Sequence, residues 1–229
     1  VPATRWPDPF PDHFDDFDNF DHEDPMAFIH TIPEDEDEDE AEGAVAELYA
    51  ADRESDGYVG NSTKAYSLRP QALLAWEQLG HTIKSGMDLR RYELATLAAA
   101  RRLRSSYCSL AHGQVVIDKG LLDADQLQAV VIDHHDAGLD EVDVAVMDLA
   151  DKVTADATAV TEDDIARLRD LGCTDAEILD VILTAALRCF FSKVLDATGA
   201  QPDAALRTAP AFTPDLVATL TVGRPIADR

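Results

Sequence analysis

The chain has 229 residues, 46% of them hydrophobic, enough to bury a core and to form one folded domain with appendages. Lys and Arg number 19 against 45 Asp and Glu, a formal net charge of -26, so the surface repels phosphate backbones and anionic headgroups; neither nucleic acid nor membrane is an expected partner. No apolar run approaches the roughly 20 residues that span a bilayer, and the start has no basic segment leading into an apolar one, so a cytoplasmic location is expected.

Residues 1–43 are rich in Pro, Asp and Glu and include the run Glu34-Asp-Glu-Asp-Glu-Asp-Glu40, whose like charges resist compact folding. They read as an acidic extension outside the main domain, partly disordered or docking. Phe10, Phe14, Phe17 and Phe20 recur there at helical spacing, so an acidic helix laying its rings on a neighbouring surface stands beside the reading of a solvated tail. His13 and His22 among the aspartates would hold divalent ions only loosely.

Residues 44–229 read as an all-α domain, because Ala and Leu abound and alternating β-branched runs are scarce. Ala44 to Ala51 forms a short helix. Pro70 opens the next, with Leu73, Leu74, Trp76 and Leu79 inward and Gly80 or Gly86 at its end. Asp88 caps a helix through Leu103, and Ser105 caps another that stops near Gly120. Asp123 begins a helix through Ile132, and a further one spans Glu141 to Val153. Thr161-x-x-Asp164 and Thr174-x-x-Glu177 are capping-box starts, the first helix ending at Gly172 and the second running from Asp175 to about Thr198. Ile178, Leu179, Val181, Ile182, Ala185 and Ala186 give that last helix an apolar face broad enough to expect burial from more than one side. Short connections favour an antiparallel bundle.

The stretch Arg104-Ser-Ser-Tyr-Cys-Ser-Leu-Ala-His112 sets a thiol and an imidazole four residues apart, on one side of a helix. With Ser105 as N-cap, Cys108 falls at the third helical position, where free amides and the positive helix end favour a thiolate. His112, one turn on, can take the thiol proton, and Glu93 on the preceding helix can orient the imidazole if the turn at Arg104-Ser105 folds the two helices together. From spacing alone, a buried small residue with a polar neighbour and a surface Glu93 account for the pattern equally. The three cysteines, Cys108, Cys173 and Cys189, are few and odd in number, which fits a reducing compartment. Cys189 reads as buried, Cys173 as the more accessible. His134-His135 lie in another segment without a distinctive metal pattern, and no metal or cofactor is expected.

The stretch from Glu93 to His112 resembles the active-site segment of the carboxymuconolactone decarboxylase and alkylhydroperoxidase D superfamily, in particular its peroxidase-related branch. There a glutamate precedes C-x-x-C-x-x-x-H, and the glutamate, second cysteine and histidine fall on Glu93, Cys108 and His112. Gly57-Tyr-Val-Gly-Asn61 with Leu68-Arg-Pro-Gln-Ala-Leu73 is similar to the branch's N-terminal region, and Leu220-Thr-Val-Gly-Arg-Pro-Ile226 to its tail. The resemblance covers about Ile32 to Ile226. It implies an all-helical bundle assembled as trimers or hexamers, in which Cys108 attacks a peroxide, His112 and Glu93 relay protons, and Ser105 and Tyr107 are supporting residues. Ser105 stands where the family has its resolving cysteine, and a hydroxyl cannot form a disulfide, so an external thiol reductant is expected to restore Cys108.

Two alternatives accompany that expectation. His112 and Glu93 could act as acid and base on a carboxylated lactone, as in the decarboxylase relatives, with Arg101, Arg102 and Arg104 supplying positive charge. The chain could instead be a non-catalytic oligomeric scaffold or binding protein whose acidic extension docks onto a partner.

Overall fold

The computed structural model describes residues 27–34 and 43–224, and among them every regular element is helical. The α-helices are α1 (Ala44–Ser55), α2 (Asn61–Ala65), α3 (Pro70–Ser85), α4 (Leu89–Arg102), α5 (Ser106–Asp118), α6 (Ala124–Ile132), α7 (Glu141–Asp156), α8 (Glu162–Asp170), α9 (Asp175–Thr198), α10 (Ala204–Arg207) and α11 (Pro214–Leu220), with a 3-10 turn at Ala157–Ala159. The Phe10–Phe20 pattern, His13 and His22 lie outside the described residues. None of the described helices is long and apolar enough to cross a membrane.

Local chemistry sets most of the starts. Asp88, Asp123, Thr161 and Thr174 each accept the backbone N–H three residues on, and both threonines complete reciprocal capping boxes; such a cap contributes about 1 kcal/mol. Pro70 opens α3 and Gly86 caps its end, as expected; Gly80 lies inside the helix, where a Cβ would stand 3.4 Å from Leu187 of α9. α3 buries only the stripe containing Leu73 and Ile83, with Trp76 half-covered. Leu74 and Leu79, expected inward, are 36% and 51% exposed, because α9 and α1 cover one side of α3 only. α1 and α7 run past their expected ends, and α2, α10 and α11 have five, four and seven residues, too short for periodicity to register.

α4 is central and packs on α5, α7 and α9. Every residue from Tyr92 to Ala100 is buried, so the helix is enclosed all round, and its alanines let the neighbours approach closely. Leu94, Leu97 and Ala98 belong to a large core shared with α5, α6, α7, α9 and α11. Ala100 belongs to a second core, with Leu48, Tyr66, Leu73, Tyr107, Cys108, Phe191 and Leu195.

Two backbone segments lie across this frame. Within residues 27–34, Ile32 N–H donates to Ser67 Oγ at 2.9 Å, and Lys64 pairs with Glu34 at 2.7 Å. The tail crosses the α4–α5 turn, where Gly223 N–H donates to Ser106 Oγ at 3.0 Å and Arg104 Nε to the Val222 carbonyl at 3.1 Å. A Cβ on Gly223 would lie 1.9 Å from the Arg104 carbonyl oxygen, so only glycine permits this crossing.

Candidate active site

The α4–α5 turn is tight: Arg104 takes the left-handed conformation (φ 59), and Ser105 N–H donates to the Ala100 carbonyl at 2.9 Å. The reversal sets α5 against the middle of α4 and starts α5 at Ser106, so Cys108 occupies the third helical position as expected. Ser105 has the extended backbone of an N-cap, but its hydroxyl makes no capping bond. Instead it is fully buried, and its neighbour is the Asp196 carboxyl of α9. Burial raises the Asp196 carboxyl above its usual range, with Ser105 and Arg224 pulling partly against it.

Glu93 is 0% exposed, which excludes the reading of a surface carboxylate. Its Oε2 meets His112 Nδ1 at 2.6 Å and its Oε1 accepts from Lys84 Nζ at 3.2 Å. Burial raises the Glu93 carboxyl, but the hydrogen bond and charge at His112, together with Lys84, outweigh it and the net direction is down. His112, its side chain 17% exposed, is pushed down by burial and by the Arg188 charge, against the pull of Glu93. The pair therefore reads as a carboxylate receiving Nδ1–H from a neutral imidazole, which leaves Nε2 without a hydrogen-bond partner among the described residues.

Cys108 does not hydrogen-bond His112. Its sulfur, on a residue 1% exposed, accepts from Ser192 Oγ at 3.1 Å and from Arg188 Nη1 at 3.6 Å. Arg188 is 2% exposed and its Nε has no partner. Among the described residues no carboxylate pairs with it; its charge also reaches the His112 ring, and the faces of Trp76 and Phe191 are each centred 5.6 Å from the guanidinium carbon. Trp76 stacks on Phe191 at 4.0 Å, and Phe191 on Tyr66 at 5.7 Å. A buried guanidinium costs several kcal/mol of desolvation, roughly, unless an anion answers it. Arg188 and Ser192 stand one turn apart on α9, with Asp196 a turn further. Sequence reasoning missed all three; the available signal was a lone Arg in the otherwise apolar run Leu187-Arg-Cys-Phe-Phe191.

Tyr107 turns to a different set of partners. Its hydroxyl donates to Asp203 and accepts the Ser62 N–H at 3.1 Å, while Asp203 also accepts the Asn61 N–H at 2.9 Å. Burial, then the Asp203 carboxylate, holds the Tyr107 phenol well above its usual range. The residue fastens α5 to the α2 start and the segment before α10. The cysteine expectations are reversed: Cys173 is 7% exposed in the large core, its thiol raised by burial, whereas Cys189 is half-buried. Cys173 closes the loop after α8 and is enclosed there, while Cys189 sits on α9 between its inner and outer faces. All three cysteines are free. The three arginines at the end of α4 are occupied: Arg102 chelates Asp151, Arg101 donates to the Ile132 carbonyl and Arg104 to the Val222 carbonyl. A polar cavity of about 330 Å3 at the α4–α5 turn is lined by Arg104, Ser106, Asp196 and Arg224 among others, but not by Cys108 or His112.

An enclosed α4, a following helix that starts two residues before a buried cysteine, and a glutamate–histidine contact between the two define an all-helical chain with the alkylhydroperoxidase D-like fold. Solved structures bear this out. The chain is similar to an uncharacterized peroxidase-related protein from Ralstonia eutropha JMP134, described as an alkylhydroperoxidase AhpD core, with a TM-score of 0.62 and 20% identity over 79% of this chain and 90% of that one. A peroxidase-related protein from Silicibacter sp. TM1040 gives a TM-score of 0.63 and 24% identity, over 69% and 84% of the two chains. The debrominase Bmp8 gives 0.63 at 11% identity, over 81% and 95%. No family model and no curated protein matches the sequence.

Proposed function

We propose that this chain is a peroxidase-related member of the alkylhydroperoxidase D-like superfamily that reduces a peroxide at Cys108, without an internal resolving cysteine. The observation that carries this reading is the buried Arg188, which has no carboxylate partner among the described residues and donates to Cys108 Sγ. The thiolate attacks the terminal peroxide oxygen; the O–O bond breaks, an S–O bond forms, and sulfur is oxidised to a sulfenic acid. The thiol proton, taken up at the His112–Glu93 pair, goes to the departing alkoxide, so the products are the sulfenic acid and one alcohol or water. Two equivalents of an external thiol then return Cys108 to the thiol, giving one disulfide and one water. Because Cys108 is 1% exposed, the oxidant that fits best is small, and bulky hydroperoxides should react more slowly.

The Glu93–His112 contact is made without Cys108, which favours a second reading, proton transfer on a carboxylated lactone. The likeness to a debrominase, also solved with 2,3,4-tribromopyrrole, makes a brominated pyrrole a further electrophile to offer the sulfur. Leu179, Leu183 and Phe190 form an exposed apolar stripe on α9, which supports self-association; the trimer or hexamer is what the family resemblance implies. The test is turnover of hydrogen peroxide, tribromopyrrole and lactone, with added thiol, by the wild type and Cys108→Ser. Peroxide turnover lost in the variant supports the first reading and peroxide turnover that survives overturns it; lactone turnover that survives the substitution supports the second.

A further inference from the structure

A second polar cluster lies in the turn after α6, apart from Cys108. His134 Nε2 and His135 Nε2 are each 2.9 Å from the same oxygen, Asp148 Oδ1 of α7. The two rings are centred 4.1 Å apart and tilted by 34°, and the ligand atoms of Asp133, His134 and His135 all lie within 4.8 Å of one another. His135 Nδ1 also meets Asp133 Oδ1, at 3.1 Å, so both nitrogens of this ring face carboxylate oxygens. Two imidazole nitrogens thus converge on one carboxylate oxygen, a donor set that suits a transition-metal ion.

We propose that His134, His135 and Asp148 bind one divalent transition-metal ion of the zinc class. Zinc takes imidazole and carboxylate ligands at about 2.0–2.1 Å, which sets neighbouring ligand atoms of a tetrahedral site about 3.3 Å apart. The observed 2.9 Å contacts need open by only a few tenths of an ångström. Water fills the fourth position. Outer contacts hold two of the three ligands: Asp133 fixes His135 through Nδ1, and Arg167 Nη1 donates to Asp148 Oδ2 at 2.8 Å. The ion would fasten the α6–α7 turn to α7 and, through Arg167, to α8. The ligands include two adjacent histidines and a carboxylate 14 residues beyond the first, a spacing that matches no contiguous metal motif.

The test titrates zinc chloride, and separately cobalt(II) chloride, into the chelator-stripped full chain, by calorimetry and visible absorption. The wild type should bind one ion per chain tightly, above the weak background of the acidic surface, and give the absorption of tetrahedral cobalt. His135→Ala, which alters a half-exposed ring and should leave the fold intact, and Asp148→Asn, checked for helicity, should each weaken that site by tenfold or more. Absence of a tight site, or a tight site that survives either substitution in a folded chain, overturns the proposal.

Discussion

Glu93 and Arg188 are both buried charges, one on α4 and one on α9, but among the described residues only Glu93 has its charge answered. Glu93 has Lys84 at 3.2 Å and His112 at 2.6 Å, so the chain itself accounts for its burial. Arg188 has a thiol, a partner-less Nε and two aromatic rings. A structural ion pair is closed on itself, whereas Arg188 turns its guanidinium to the Cys108 sulfur. That contrast supports the proposed reading of Cys108 more than its spacing from His112 does.

Substitutions at the two charges should separate these roles. Arg188→Met removes a charge-assisted contact of about 1.5–3 kcal/mol, so Cys108 oxidation by peroxide should slow roughly ten- to a hundredfold. Stopped-flow measurement of sulfenic acid formation checks the rate. Because an apolar side chain in place of a buried ion is neutral or stabilising, the thermal midpoint should hold or rise. Glu93→Gln should lower both turnover and midpoint, since Lys84 and His112 lose their partner; a midpoint that fell only in Arg188→Met would invert the comparison. His112→Gln should cost turnover roughly a hundredfold, the usual contribution of a positioned base.

The same pair sets a pH dependence. The His112 ring holds its proton less tightly in the folded chain than in the unfolded one, where the ordinary value is 6.5. As pH falls below that value, the unfolded chain takes up more protons, so stability present above about 6.5 is lost as pH passes down through the folded value. Turnover should fall over the same acid range as the base is protonated, and chemical denaturation with activity profiles between neutral and mildly acidic pH checks both. His112→Gln should remove this part of the stability slope. Gly223→Ala should displace the tail from Arg104 and lower stability by about 1–3 kcal/mol, read from the thermal midpoint, while peroxide oxidation of Cys108 changes little.

Much of this was legible in the sequence. Capping residues such as Asp88, Thr161 and Thr174 act through bonds three residues long, so the starts of α4, α8 and α9 follow from local chemistry. Glu93 and His112 were readable as partners because one tight turn joins their helices. Arg188 was not, because it reaches Cys108 across 80 residues of chain, and no local pattern encodes that distance. Ser105 was misread as a side-chain cap for the same reason: Asp196, its neighbour, is far away in sequence. Leu74 and Leu79 failed as core residues because periodicity marks apolar faces without counting the helices available to cover them.

Exposure and charge make opposite forecasts for the cysteines, since Cys189 is half-buried and Cys108 is 1% exposed. The most direct measurement adds one equivalent of hydrogen peroxide to the fully reduced full-length protein, traps sulfenic acid and locates it by mass spectrometry. If Arg188 marks the reactive sulfur, the adduct forms on Cys108 ahead of Cys189 and Cys173. An adduct that forms first on Cys189, or fails to form on Cys108, would contradict that claim.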